Sequence, residues 1–372
     1  MPRQTSSTID YGYAAIVAGL LVFGLLMLAS AGAPSGFTRF HDSYYFVKHQ
    51  LVFGLIPGLI ALFFFLRVPY DFWRRQAWPL LLASLVLLIL VFIPGISAGI
   101  GSAHSWISIG GWFSLQPSEI VKLTFLFYLA AWLEAKQKGG SMQQGFGSFV
   151  AVLGLILLLL MLQPDIGTLS IISAMALSVY FFAGAPILQV LGLLGIGAGG
   201  LTLLIGLAPY RAARFTTFLH PELDPQGVGY HINQALLAIG SGGWFGLGYG
   251  HSRQKFQFLP EVTNDSIYAV IAEEWGFFVA VALIAVFLLF FWRSMKIAKE
   301  APDMFGRCVV LGVGSWVLVQ AFVNIGSMLS LMPITGLPLP FISYGGTSLA
   351  INLAAVGVVL NISKYRNQTS PV

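Results

Sequence analysis

The sequence predicts an all-α polytopic membrane protein with about ten transmembrane helices. Only 9% of the 372 residues are charged and 57% are hydrophobic, whereas about 25% of the residues in soluble domains are charged. The apolar residues also form continuous runs near the roughly 20 residues that cross a bilayer. These features exclude an ordinary soluble enzyme, a disordered chain and a nucleic-acid-binding protein.

The apolar runs follow one another along residues 1–372, which indicates one integral membrane domain with short tails at 1–11 and 363–372. Continuous stretches such as 80–91 lack the alternation of a membrane β-barrel strand and favour helices. The first run is too long for a cleavable signal peptide, so we expect it to be retained. The ten predicted spans cover roughly residues 12–31, 46–66, 77–95, 118–134, 147–162, 167–184, 187–206, 268–292, 308–329 and 346–362.

The basic residues predict the orientation of these spans. If the N-terminus is cytoplasmic, 12 of the 19 Lys and Arg residues lie at cytoplasmic helix ends and loops. The short outer loops then hold only Arg39 and Lys48. Because short cytoplasmic loops are enriched in basic residues, both termini are expected in the cytoplasm. Nine of the 14 acidic residues then lie outside or in the outer half of the membrane.

Two irregular segments are expected on the outer side. One connection of about 60 residues, from about 207 to 267, is rich in aromatic residues, which argues against disorder. The second, residues 333–348, holds three prolines and three glycines between two spans. Irregular backbone at membrane depth is tolerated where it lines a cavity or is buried in protein. We therefore expect the second segment to form a wall of an outer cavity.

Three turns at outer helix ends combine a proline with an acid. They contain Glu119, Asp165, and the pair Glu261 and Asp265. A proline and an acid in the first turn are ordinary features of a helix start. Ionisable groups at a membrane are costly and usually functional, so their repetition on one side also favours a functional role.

Spacing predicts how some of these acids are paired. Glu119 and Lys122 share one helix face, so a structural ion pair is the favoured interpretation. Glu273 and Glu274 diverge by about 100° around a helix, so we expect separate partners, with one facing a polar cavity. Asp265 lies where the long loop meets the membrane, which suits a general base, while a helix N-cap is the competing interpretation.

Four ordered motifs resemble the SEDS family, the FtsW and RodA type of bacterial wall-synthesis proteins. They are residues 163–168 (QPDIGT), 255–265 (KFQFLPEVTND), 272–276 (AEEWG) and 340–346 (PFISYGG). The resemblance extends from residue 116 to the last span. It implies ten helices in the bacterial cytoplasmic (inner) membrane, cytoplasmic termini and a large outer loop after the seventh helix.

The resemblance implies a peptidoglycan glycosyltransferase that polymerises lipid II, a disaccharide-peptide on undecaprenyl pyrophosphate, in cell division or elongation. The essential aspartate of the family falls by motif on Asp265, which would deprotonate the hydroxyl group of the acceptor sugar. Substrate-binding or cavity roles are expected for the other polar residues of the outer side, namely Glu119, Lys122, Asp165, Arg211, Arg214, Lys255, Glu261, Glu273 and Ser343.

The charge on the departing pyrophosphate requires stabilisation. The available basic groups are Arg211, Arg214, Lys255 and Lys122. The family also implies a divalent ion such as Mg²⁺ or Mn²⁺, although no ligand spacing indicates one. The expected partners are a class B penicillin-binding protein transpeptidase and other divisome or elongasome membrane proteins, and no nucleic acid. The alternatives are a lipid II flippase, which needs a polar path to the cytoplasmic side, and an inactive scaffold.

The chain departs from the family pattern near these motifs. Residues 263–266 (TNDS) stand where the family often has His-Thr-Asp-Phe, so Asp265 is retained while its neighbours differ. Thr335 occupies a position where FtsW proteins often have lysine. Residues 209–214 and 224–230 resemble FtsW, which favours the division type, whereas residues 336–340 resemble RodA.

Overall fold

The computed structural model describes residues 8–93, 95, 105–109, 113–139, 142–207, 216–218, 220, 224 and 226–365. Its helices are α1 (Tyr11–Phe40), α2 (Tyr45–Gln50), a π-helical turn (Leu51–Leu55), α3 (Ile56–Arg67), α4 (Tyr70–Arg75), α5 (Ala77–Leu90), α6 (Pro117–Gly139), α7 (Met142–Leu162), α8 (Ile166–Phe182), α9 (Ile187–Leu207), α10 (Val228–Ser241), α11 (Ile267–Glu300), α12 (Met304–Met328) and α13 (Gly346–Ser363). A short antiparallel hairpin, β1 (Ile107–Ile109) and β2 (Phe113–Leu115), precedes α6.

Helices account for every predicted apolar run, which confirms the all-α membrane class. In the described part of the chain, six helical segments are long and apolar enough to cross a membrane, and α5, α8 and part of α9 are shorter apolar helices. The 23-residue helix α6 corresponds to the fourth predicted span and carries Glu119, Lys122 and Glu134. The total of ten spans and the side of the termini stay predictions.

Helices α12 and α13 are the most buried of the apolar helices. Helix α13 packs closely along α3 at two glycines: a Cβ atom on Gly58 would meet Leu353, and one on Gly357 would meet the backbone of Leu62. Small residues allow such close approach between membrane helices, where dispersion contacts replace the hydrophobic effect as the driving force. The start of α13 lies at the C-terminal end of α2, where the N–H of Gly345 donates to Oε1 of Gln50.

The long outer connection has more regular structure than the sequence indicates. It contains α10, which packs against α11, and a turn-rich segment from Gly242 to Ser266. Helix α11 is kinked at Gly276, whose φ is 76°. The N–H of Phe277 donates to the carbonyl of Gly243 at 2.9 Å, and the N–H of Leu247 donates to that of Glu273 at 3.0 Å. Backbone hydrogen bonds at the kink thus join the segment from Gly242 to Ser266, here named the outer segment, to α11.

Candidate functional site

A cavity of about 530 Å³ lies where the N-terminal ends of α6, α8 and α13 meet. In the predicted orientation all three ends are on the outer side of the membrane. Polar residues from several elements line it, including His49, Gln116, Glu119, Asp165, Asn264 and Thr335. Residues 335–338 and 344–346 contribute to the wall, so the irregular segment lines a cavity as expected, and the side of the membrane stays a prediction. Its size and mixed lining are typical of a ligand site.

Glu119 and Lys122 form the ion pair that their spacing predicts, with 2.8 Å between Oε1 and Nζ. Lys122 is fully buried, donates to Oε1 of Gln320 at 3.0 Å and lies 4.6 Å from the ring centre of Trp316. Oε2 of Glu119 has no partner, although Glu119 lines the cavity. A buried carboxylate oxygen without a donor is costly, and a hydrogen-bond donor of a ligand would satisfy it.

Asp165 begins α8 and lines the cavity. Its Oδ1 accepts from the N–H of Thr168 at 3.0 Å and its Oδ2 from the hydroxyl group of Ser118 at 3.0 Å. The first contact is a standard N-cap, and the second joins α8 to the start of α6. Asp165 is therefore a structural cap whose carboxylate also contributes to the cavity wall.

Asp265 is 4% exposed, and its Oδ1 atom has no hydrogen-bond partner. Burial raises the pKa of Asp265 to about 7, and the nearby carboxylate of Glu261 adds to this effect. The adjacent residue Asn264 lines the cavity, whereas Asp265 is buried beside it. This places a carboxylate of raised proton affinity one residue from the cavity wall.

The turn that carries Asp265 is held by the irregular segment and by α12. Nδ2 of Asn324 donates to the carbonyl of Asp265 at 2.8 Å and also to a carbonyl of the segment. The hydroxyl group of Ser343 donates to the carbonyl of Asn264 at 2.5 Å. The N–H of Tyr344 donates to the carbonyl of Thr263 at 2.8 Å. Ser343, expected at the cavity, instead positions the turn.

Lys255, expected as a substrate-binding or cavity residue, does not line the cavity described above. Its Nζ is 2.7 Å from Oε1 of Glu274, which also accepts from the hydroxyl group of Ser30 at 2.6 Å. Glu273 accepts from the hydroxyl group of Ser252 at 2.5 Å. Both glutamates have separate main partners, as expected, and neither lines the cavity described above. Donors from the outer segment thus reach both Glu273 and Glu274, so the two glutamates anchor this segment to α11. The charge of Lys255 is neutralised by Glu274.

The remaining expected site residues lie elsewhere. Glu261 is exposed and accepts from Nδ2 of Asn264 at 2.5 Å, so it contacts a residue of the cavity wall. Arg211 and Arg214 lie outside the described residues. No group of three or more His, Cys, Asp or Glu side chains in the described part of the chain is arranged to hold a metal ion. The divalent ion that the resemblance implies stays a prediction.

Two polar residues that the sequence analysis did not single out contact the site. His49 lines the cavity, and its Nδ1 is 2.8 Å from the hydroxyl oxygen of Tyr344. Gln50 accepts from the N–H of Gly345 at 3.0 Å and donates to the carbonyl of Ser343 at 3.3 Å. The sequence signal that could have identified His49 and Gln50 is that they are consecutive polar residues near the start of an apolar run.

Comparisons with known proteins agree with this architecture. A family model described as cell cycle protein, for FtsW, RodA and SpoVE, matches residues 12–368. Stage V sporulation protein E of Bacillus subtilis is 43% identical over 93% of this chain and 94% of its own length. A probable peptidoglycan glycosyltransferase FtsW of Trichlorobacter lovleyi is 41% identical over 94% and 91%.

Solved structures match over almost the whole chain. One match is a chain from a structure of a peptidoglycan synthase complex that is described as coordinating polymerization and crosslinking. Its TM-score is 0.79 at 29% identity, and the match covers 97% of this chain and 99% of that one. The rod shape determining protein RodA of Thermus thermophilus has a TM-score of 0.72 at 29% identity, covering 97% and 98%. The chain therefore belongs to the FtsW, RodA and SpoVE family, the SEDS family that its motifs resemble, and is a multi-pass protein of the cytoplasmic membrane.

Proposed function

We propose that this chain, a peptidoglycan glycosyltransferase, polymerises lipid II into glycan strands at the outer face of the cytoplasmic membrane. The observation that carries the proposal is the buried carboxylate of Asp265, which has an unpaired oxygen and lies one residue from the wall of a polar cavity. Relatives that are about 40% identical are named peptidoglycan glycosyltransferases.

In the proposed reaction Asp265 is the general base. Its carboxylate accepts the proton of the acceptor hydroxyl group as the new C–O bond forms at the anomeric carbon of the donor. The bond between that carbon and the pyrophosphate oxygen breaks, and the lipid pyrophosphate leaves with the electron pair, inverting the anomeric centre. A base with a pKa of about 7 is suited to this step, because near neutral pH about half of it is deprotonated and it is a better proton acceptor than an ordinary aspartate.

Other cavity residues would bind and orient the substrate. Glu119 and Asp165 offer carboxylate oxygens to sugar hydroxyl groups, and the ring of His49 offers a nitrogen to a polar group. Lys122, buried behind Glu119, holds that carboxylate in place. Arg211 and Arg214 of the outer loop are candidates for stabilising the pyrophosphate charge, and a divalent ion would neutralise it further.

The proposed partner is a class B penicillin-binding protein that crosslinks the strands. The support is the similarity to a chain from a peptidoglycan synthase complex in which polymerization and crosslinking are coordinated. The competing function is a lipid II flippase. We favour the polymerase because the polar residues of the cavity lie at the helix ends that are expected to face outward.

The test uses the purified complex with its partner, lipid II and a divalent cation. We expect glycan strands that a muramidase digests, and a loss of at least about a hundredfold for Asp265→Asn. Asp42→Asn is the matched control, because Asp42 is a partly exposed acid that pairs with Lys48 away from the cavity. Full activity of Asp265→Asn would refute the catalytic role, and lipid translocation in liposomes without strand synthesis would support the flippase.

A further inference from the structure

The two oxygens of the Glu119 carboxylate have different surroundings. Oε1 lies 2.8 Å from Nζ of Lys122, whereas Oε2 is buried and has no hydrogen-bond partner. Because Glu119 lines the cavity, Oε2 is left to accept a hydrogen bond from a ligand. An ammonium group has three protons to donate, so the other contacts of Lys122 decide whether Oε2 stays free.

Helix α12 supplies these other contacts of Lys122. Nζ donates to Oε1 of Gln320 at 3.0 Å and lies 4.6 Å from the ring centre of Trp316. Lys122 and Gln320 are both fully buried. An acceptor oxygen and the face of an aromatic ring both stabilise an ammonium group that is out of contact with water. The charge of Lys122 is thus stabilised by α12 and by Oε1 of Glu119, without use of Oε2.

The orientation of the Gln320 amide is determined by two neighbours that each have one hydrogen-bonding role. Nε1 of Trp316 can only donate, and it lies 3.0 Å from Oε1 of Gln320. The carbonyl oxygen of Pro338 can only accept, and it lies 2.8 Å from Nε2 of Gln320. A flipped amide would lose both hydrogen bonds, so Oε1 of Gln320 is held toward Lys122.

We propose that Gln320, supported by Trp316, is a positioning residue that keeps Lys122 on Oε1 of Glu119 and so leaves Oε2 free to bind substrate. This inference rests on the proposed function and deepens it, because Oε2 would accept from a hydroxyl or amide N–H group of the lipid-linked disaccharide-peptide. Without the amide oxygen of Gln320, a proton of the buried ammonium group lacks an acceptor. Oε2 is the free acceptor on the carboxylate that Lys122 already contacts, so Lys122 would occupy it.

The experiment measures lipid II binding and strand synthesis by the partner-bound protein. Binding is measured in the Asp265→Asn background to prevent turnover, and synthesis is measured with Asp265 intact. Gln320→Met keeps the side-chain length but removes the amide group. We expect about tenfold weaker binding and a similar rise in KM, with kcat changed by less than about twofold, because the lost contact is one made to bound substrate. Trp316→Phe should weaken binding about threefold, because the Gln320 amide loses a donor that orients it.

Ser315→Ala is the matched control. Ser315 precedes Trp316 on α12, and its hydroxyl oxygen is buried without a hydrogen-bond partner among the described residues. Removal of this hydroxyl group changes a buried polar position of the same helix without breaking a contact of Lys122. Binding and KM should therefore stay at the wild-type values.

A double-mutant cycle with Glu119→Gln separates the positioning role from a structural one. In a structural role, loss of the hydrogen bond to Pro338 would displace the cavity wall. Glu119→Gln leaves one acceptor oxygen, which Lys122 occupies, so this change alone should weaken binding. Adding Gln320→Met should then weaken binding no further, because both changes remove the same free acceptor.

Two results would overturn the proposal. One is wild-type lipid II binding by Gln320→Met, and the other is an equal penalty for this change with and without Glu119→Gln. If thermal unfolding shows that Gln320→Met does not fold, wild-type binding by Trp316→Phe overturns the proposal instead. Strand synthesis by Asp265→Asn is a separate readout. If Asp265→Asn abolishes synthesis while Gln320→Met binds as wild type, only the positioning role is wrong; if Asp265→Asn remains active, the proposed function is wrong.

Discussion

The surroundings of Asp265 raise the pKa of its carboxyl group, and this should determine how the reaction rate depends on pH. Burial and the charge of Glu261 raise its pKa to about 7. A general base works when deprotonated, so the rate should fall as the pH drops through about 7. Glu261→Gln removes the neighbouring charge, which should lower the pKa of Asp265 and move this acidic limb to lower pH. A pH series of initial rates checks this, and an unmoved limb would contradict it.

The ionised carboxylate of Asp265 should also lower the free energy of unfolding. Its pKa in the folded protein is about 7, above the value near 3.9 of an exposed aspartate. The penalty is therefore absent below about pH 4, grows as the pH rises, and is complete above about pH 7. Asp265→Asn should raise Tm on the order of a few degrees at pH 8 and less at pH 5. Thermal unfolding in detergent at both pH values measures this; a lower Tm at pH 8 would contradict the argument.

At the scale of elements, the outer segment depends on the kink of α11. Gly276 has a φ of 76°, and a Cβ atom there would collide with the backbone of Phe245 and Gly246. Gly276→Ala should therefore detach the outer segment, lower Tm and reduce strand synthesis, at a cost of at least about 1 kcal/mol for the backbone conformation alone. Gly240→Ala is the matched control, because a Cβ atom there meets open space. Equal effects of the two changes on thermal unfolding would disprove this dependence.

The elements differ in how far the sequence predicts them. Long apolar runs predict membrane helices because bilayer thickness sets their length, and the i,i+3 spacing predicts the pair of Glu119 and Lys122. Helix α10 lies in a mixed polar segment without that constraint. The pair of Lys255 and Glu274 depends on the turns between residue 255 and the start of α11, which fold residues 19 positions apart onto each other. The positions of His49 and Asn324 at the site likewise follow from tertiary packing rather than from local sequence.

At the scale of the whole molecule, the proposed reaction requires the cavity to open to the outer side. The orientation prediction rests on loop charge, because basic residues stay on the cytoplasmic side. It can be tested by cysteine labelling, since Cys308 is buried and is the one cysteine of the sequence. The exposed side chains of Arg253, in the outer segment, and Lys299, near the other end of α11, are suitable positions.

In intact spheroplasts, a membrane-impermeant maleimide should label Arg253→Cys and leave Lys299→Cys unlabelled until the membrane is permeabilised. The parent protein with Cys308 alone should stay unlabelled in both conditions, because a buried thiol does not meet the reagent. Helix α11 has 34 residues, long enough to cross the bilayer, so its two ends should lie on opposite sides. The reverse labelling pattern would place Asp265 and the cavity on the cytoplasmic side. That result would contradict the proposed polymerisation of glycan strands at the outer face of the membrane.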